Sequence, residues 1–282
     1  MSAERATIAG ALALLLWAFL APLARLAQPI PPLLLTGLGF AVGGGFGLAV
    51  VVARGQLGAL RQPGLVWLHG VGGLAGYHAL YFAAFALAPA VEANLLNYLW
   101  PLLIVLLSAP VLGLRLGWRR LAGVGLGFAG AALPLGAGQG FATEAWAGFA
   151  CALGAACTWA VYSVLAGRLR AVPTEAVAGF CLASALLALA AHAALEPPAA
   201  LNPQQWLLVA LLGLGPMGAA FFLWDLGMKR GDPRLLGTLA YATPVASTLL
   251  LALIGEAQLG WRVLLAAVLV AGGGVLAARA RD

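Results

Sequence analysis

The chain has 282 residues, of which 63% are hydrophobic and only 9% charged, with a mean hydropathy of +1.00 and a net charge of +6. Soluble domains carry roughly 25% charged residues, so this composition excludes a soluble enzyme and requires a protein immersed in lipid. The basic residues sit singly in short connections and form no run, which excludes a nucleic-acid footprint and makes them reporters of membrane orientation.

The apolar runs exceed about 18 residues and do not alternate with period two, so they indicate helices and not barrel strands. Breaking them at charges, prolines and polar clusters gives ten segments, near 6–26, 32–53, 64–87, 91–112, 117–137, 145–167, 174–195, 204–228, 234–254 and 259–279. Each approaches the ~20 residues that cross about 30 Å of hydrocarbon. The fold class expected is therefore an all-α membrane protein of ten transmembrane helices. The connections are too short for a soluble domain, so function has to lie within the bundle.

Segment 1 follows Arg5 as a signal sequence would, but it lacks a small-x-small cleavage site and is expected to remain as a membrane helix. Trp17 lies near its middle. Segment 2 carries Gly39-x-x-x-Gly43-x-x-x-Gly47, and segment 5 carries Gly123-x-x-x-Gly127; such stripes let helix backbones approach closely. Segment 3 offers Tyr77, His78 and Tyr81, the last two on one helical face. Segment 4 contains Asn94-Leu95-Leu96-Asn97-Tyr98-Leu99-Trp100-Pro101, with Asn94, Asn97, Tyr98 and Pro101 on one stripe. Segment 6 repeats an aromatic and polar face with Trp159, Tyr162 and Ser163. Segment 8 holds Trp224 and Asp225, with Lys229 at its cytoplasmic end, and segment 9 holds Tyr241, Thr243, Pro244, Ser247 and Thr248.

Orientation follows from the Lys and Arg count. With a cytoplasmic N-terminus, thirteen basic residues fall inside and only Arg25 and Arg262 outside, so both termini are expected in the cytoplasm. Sliding the chain against itself by 143 positions places Tyr98 on Tyr241 and Pro101 on Pro244. The same shift lays Leu116-Gly117-Trp118-Arg119-x-Leu121 on Leu259-Gly260-Trp261-Arg262-x-Leu264. This indicates two repeats, 1–140 and 141–282. Five crossings per unit invert the second against the first, and inverted repeats are a recurring plan of secondary transporters. Inversion also accounts for Arg262, the displaced counterpart of Arg119.

A polar side chain inside a membrane is costly unless it faces protein or water. Three helices with aromatic and amide faces would suit a cavity for a small amphipathic solute, with rings stacking and amides holding polar atoms. The residues assigned to substrate binding are Trp17, His78, Tyr81, Asn94, Asn97, Tyr98, Trp100, Trp159, Tyr162, Ser163, Trp224 and Tyr241. Pro101 and Pro244 each remove a backbone hydrogen bond and would break or hinge their helices. Asp225 and Lys229, four apart, form either a helix-end ion pair or a gate. Trp67, Trp118, Trp146, Trp206 and Trp261, near helix ends, read as interfacial anchors.

Three scattered histidines, no H-E-x-x-H and three cysteines without ligand spacing imply no metal, no cofactor and no enzyme chemistry. Apart from Asp225 no carboxylate lies well inside a segment, which favours facilitated movement or exchange over tight proton coupling. A channel remains compatible with the duplication.

These features resemble the drug/metabolite transporter superfamily, specifically the ten-helix EamA-type transporters. Trp17, the Asn94 to Pro101 stretch, the two L-G-W-R-x-L segments and Tyr241-x-x-Pro244 carry the resemblance. The aromatic wording of segment 4 is most similar to the YddG aromatic amino-acid exporters of bacterial inner membranes. The resemblance implies a multi-pass protein of the bacterial cytoplasmic membrane that exports aromatic and other neutral amino acids by alternating access. Another metabolite or drug class is the alternative cargo. It further implies a small-molecule substrate, membrane lipid as the surroundings, no nucleic-acid partner and a working monomer.

Overall fold

Prolines decide where the helices of this chain begin and break. The structure, a computed structural model, describes residues 2–112, 117–135, 143–166, 169, 171–231, 236, 239–256 and 260–279. Arg115, Leu116, Arg168, Arg170, Arg234, Leu259 and Arg281, which bear on the repeat and on orientation, lie outside the described residues, as does the Lys229 side chain.

The first segment forms α1 (Ala3–Ala18) and α2 (Leu20–Leu26), interrupted at Phe19. Pro22 has no N–H to offer the carbonyl of Ala18, so the ladder restarts there. Next comes α3 (Pro32–Ala53), with proline at its first position, where the missing donor costs nothing. Its leading N–H groups at Leu33 and Leu34 donate to the Glu196 carboxylate at 2.9 and 3.2 Å, and His192 Nδ1 lies 2.9 Å from the same carboxylate.

Then follow α4 (Gly64–Leu87), α5 (Ala90–Asn97), α6 (Trp100–Leu112), α7 (Trp118–Leu135), α8 (Trp146–Ala166) and α9 (Ala176–Leu195). The chain continues with α10 (Pro203–Leu214), opened by a reciprocal Asn202–Gln205 cap, a π-helical turn Gly215–Ala219, and α11 (Ala220–Arg230). It closes with α12 (Thr243–Leu253) and α13 (Trp261–Arg279).

Every described element is helical. Among the described residues, six helical stretches are long and apolar enough to cross a membrane: Ala3–Leu26, Pro32–Ala53, Gly64–Leu87, Trp146–Leu165, Ala176–Leu195 and Pro203–Gly227. Shorter apolar helices occur at Leu121–Gly130, Thr243–Leu253 and Trp261–Leu276. Large apolar side chains face outward, with Leu186 at 72% and Val268 at 60% exposure, as lipid contact requires.

The main packing pairs are α1 with α11, α3 with α9, α4 with α8 and α7 with α13. In lipid there is little hydrophobic drive between helices, so contact depends on close backbone approach. A Cβ on Gly43 would lie 2.5 Å from the Gly213 carbonyl oxygen, and one on Gly273 would run into the Gly123 carbonyl. Both glycine stripes therefore serve packing. Trp118, Trp146, Trp206 and Trp261 are exposed, as anchors would be, whereas Trp67 packs edge-on to Phe180 with ring centres 5.2 Å apart.

The helix α2 touches α4, α5, α10 and α12, and so spans both ends of the chain. In its last turn Arg25 Nε meets Glu256 Oε2 at 2.7 Å. Arg25, one of the two basic residues expected on the outer side, thus has an acidic partner.

Candidate functional site

Two helices break at corresponding positions. Between α5 and α6 the backbone leaves helical hydrogen bonding at Tyr98 and Leu99, and ahead of α12 it does so at Tyr241 and Ala242. Pro101 and Pro244 stand second in the helices that restart, where each has no N–H for the carbonyl four residues earlier. The turns are held by short-range bonds, Tyr98 N–H to Asn94 carbonyl and Leu99 N–H to Leu96 carbonyl, with Ala242 N–H to Leu239 carbonyl in the second.

A cavity lies beside these breaks, lined by Leu14, Trp17, Leu20, Tyr77, His78, Tyr81, Asn97, Tyr98, Trp100, Trp159, Phe221 and Thr243. Its free volume is ≈ 30 Å³, room for about two waters. The wall is mainly rings. Trp17 meets Trp159, Phe221 and Trp224 at centroid distances of 6.0, 5.8 and 5.3 Å, and Tyr77 meets Trp159 at 5.2 Å. Tilted and edge-on aromatic pairs contribute roughly 0.5–1.5 kcal/mol each beyond area burial, so the wall is stiff without a charge in it.

Four polar arrangements give this wall direction. Trp17 Nε1–H donates to the Pro216 carbonyl at 3.1 Å, an acceptor that the π-helical turn presents. His78 Nδ1 lies 3.0 Å from the Leu74 carbonyl, which can only accept, so that nitrogen carries the proton. Asn97 Nδ2–H donates to the Tyr77 hydroxyl at 3.1 Å, while its Oδ1 is buried and meets no partner. Thr243 Oγ1, at the start of α12, is likewise buried and unpartnered. Among the described residues, Asp, Glu, Lys and Arg are absent from the lining.

The family model described as EamA-like transporter family matches the chain twice, over residues 5–135 and 146–279. The chain belongs to this family. It is also similar to the aromatic amino acid exporter YddG of Ancylobacter novellus, 50% identical over 281 residues that cover 98% of each chain. The exporter of the same name from Salmonella typhimurium is 25% identical over 98% of this chain and 97% of that one, and the Escherichia coli protein 24% identical over 66% of each. A crystal structure of a protein 49% identical superposes with a TM-score of 0.79, covering 98% of this chain and 97% of the other. The EamA-like chain is a multi-pass membrane protein and a transporter, not an enzyme.

Within this EamA-like transporter, Trp17, His78, Tyr81, Asn97, Tyr98, Trp100 and Trp159 come together around the cavity. Asn94 does not join them. Its Nδ2–H donates to Ser247 Oγ at 3.1 Å, tying α5 to α12. Tyr162 stands behind the wall, stacked on Trp159 at 5.1 Å and on His69 at 4.5 Å. Trp224 backs Trp17, half-buried Ser163 is not in the lining, and Tyr241 faces Gly274 of α13. Asp225 accepts a hydrogen bond from the Thr174 hydroxyl just before α9. Leu14, Leu20 and Phe221 join the lining unannounced, because an apolar side chain in a membrane helix carries no signal of which way it faces. Tyr77 and Thr243 stand out in the sequence only as polar residues. Among the described residues no group of three or more His, Cys, Asp or Glu could hold a metal ion.

Proposed function

We propose that this transporter is a secondary carrier that exports small amphipathic metabolites, aromatic and other neutral amino acids foremost, across a bacterial cytoplasmic membrane. The observation that carries this reading is the uncharged aromatic cavity with two unpartnered polar atoms, placed where two broken helices meet. Rings bind a ring, and fixed dipoles bind the ends of a zwitterion. The relatives named as aromatic amino acid exporters point the same way.

The working unit in this reading is one chain of ten crossings, built as two inverted repeats, 1–140 and 141–282, with both termini in the cytoplasm. The duplicated family match and the breaks 143 residues apart support it. So does the packing, since exchanging the halves turns the α1–α11 pair into the α8–α4 pair and leaves α3–α9 and α7–α13 as they are. The cavity has no room for an aromatic amino acid as it stands, so loading requires the helices around it to part; alternating access supplies that motion.

Purified protein in liposomes should exchange labelled phenylalanine, tyrosine or tryptophan against the unlabelled compound, with saturation. Linear flux without counterflow would mark a channel, and no flux with any amino acid would reject the cargo class.

A further inference from the structure

We infer that the cavity recognises its cargo as an intact zwitterion, with Asn97 Oδ1 taking the α-ammonium and Thr243, together with the N-terminus of α12, taking the α-carboxylate. This rests on the amino-acid reading above and assigns the ends of that cargo. Among the described residues, the cavity wall contains no ionised partner for either charge. Both charges therefore have to be met by neutral dipoles, or the cargo could not leave water.

Asn97 is 2% exposed, with its Nδ2 held by the Tyr77 hydroxyl, so the leftover atom is an acceptor. An ammonium is all donor and fits it. Pro101 also withholds an N–H from the carbonyl of residue 97, which leaves a second acceptor at the end of α5. The C-terminal end of a helix carries the negative pole of its dipole, which adds to the preference for a cation.

Thr243 has the opposite setting. It is 6% exposed, its hydroxyl is unpartnered, and it is the first residue of the eleven-residue helix α12. Of its leading positions Pro244 has no N–H and the Ala246 N–H already donates to the Ala242 carbonyl at 3.0 Å, so what the start of α12 offers an anion is the Thr243 hydroxyl at the positive pole of the helix. One wall of the cavity is thus built for a cation and another for an anion, without a formal charge on either. Amines without a carboxylate, including cationic drugs, and acids without an amine would each leave one polar atom buried and unmatched.

The test is counterflow of labelled phenylalanine in proteoliposomes, with 3-phenylpropionate (no ammonium) and 2-phenylethylamine (no carboxylate) as competitors. On the natural protein both should compete at least about tenfold more weakly than phenylalanine, since a hydrogen bond to a charged group left unmade costs that much. Asn97→Leu should close the gap between phenylalanine and 3-phenylpropionate while keeping the gap to 2-phenylethylamine. Thr243→Val should do the reverse, and Thr243→Ser should restore the natural pattern. If Asn97→Leu does not yield folded protein, Asn97→Asp, which keeps the acceptor, must preserve the discrimination against 3-phenylpropionate. Variants that keep both gaps, or lose both together, overturn the assignment while leaving amino-acid transport standing. No counterflow of any amino acid by the natural protein would overturn the transport reading itself.

Discussion

The broken helix α5–α6 and the break before α12 share their backbone and differ in almost every side chain around it. Tyr98 lies in the cavity wall, whereas its counterpart Tyr241 is buried against Gly274 and is not in the lining. Asn97 corresponds to Ala240, and Trp100 to Thr243, at the same 143-residue shift. The first half contributes rings and an amide, the second a small hydroxyl at a helix start. Backbone likeness and side-chain unlikeness have separate uses: equal breaks let two halves exchange shapes, and unequal linings let an asymmetric solute lie in one orientation.

The strongest way to probe the shared part is to mend each break. Pro101→Ala and Pro244→Ala each restore a backbone donor and favour a continuous helix. Both should lower counterflow by about tenfold, as a bias of ~1.4 kcal/mol on a two-state balance does. A loss confined to one proline would mean that the two breaks do different jobs.

A smaller effect addresses the unlike part. Gly274→Ala places a Cβ against the Tyr241 ring, and overpacking of this kind costs about 1–3 kcal/mol. The stability in detergent, read from the melting temperature, should fall, while Gly272→Ala, which meets open space, should leave that stability within about 0.5 kcal/mol of the natural protein. Smallest is the hydroxyl pair. Tyr98→Phe removes a hydroxyl from the cavity wall, and losing a hydrogen bond to the cargo worth about 1 kcal/mol should raise the KM for counterflow several-fold. Tyr241→Phe should leave KM unchanged, and equal shifts in the two variants would erase the distinction between the halves.

Much of this architecture is legible in the amino-acid sequence. Repetition of Y-x-x-P locates both breaks, because proline acts on the backbone regardless of what surrounds it. The same stripe does not separate Asn94 from Asn97. They sit three apart on one helix face, and only the neighbouring helix decides that one meets Ser247 and the other Tyr77. Helical spacing likewise places Tyr162 and Trp159 together without showing that Trp159 screens Tyr162 from the cavity. The π-helical turn at Pro216 is hidden inside segment 8, since a segment apolar on every side has no polar stripe for one extra residue to displace. Leu14, Leu20 and Phe221 cannot be told by sequence from lipid-facing residues, because in a bilayer both directions are apolar.

The Arg25–Glu256 bridge starts from the last turn of α2, with its partners 38% and 33% exposed. A clasp so open to solution contributes about 0–1 kcal/mol, and counterions weaken it over a Debye length of about 8 Å at physiological ionic strength. It can be undone by ordinary thermal agitation, so on that face of the bundle its hold on Glu256 weakens as the salinity of the surrounding medium rises.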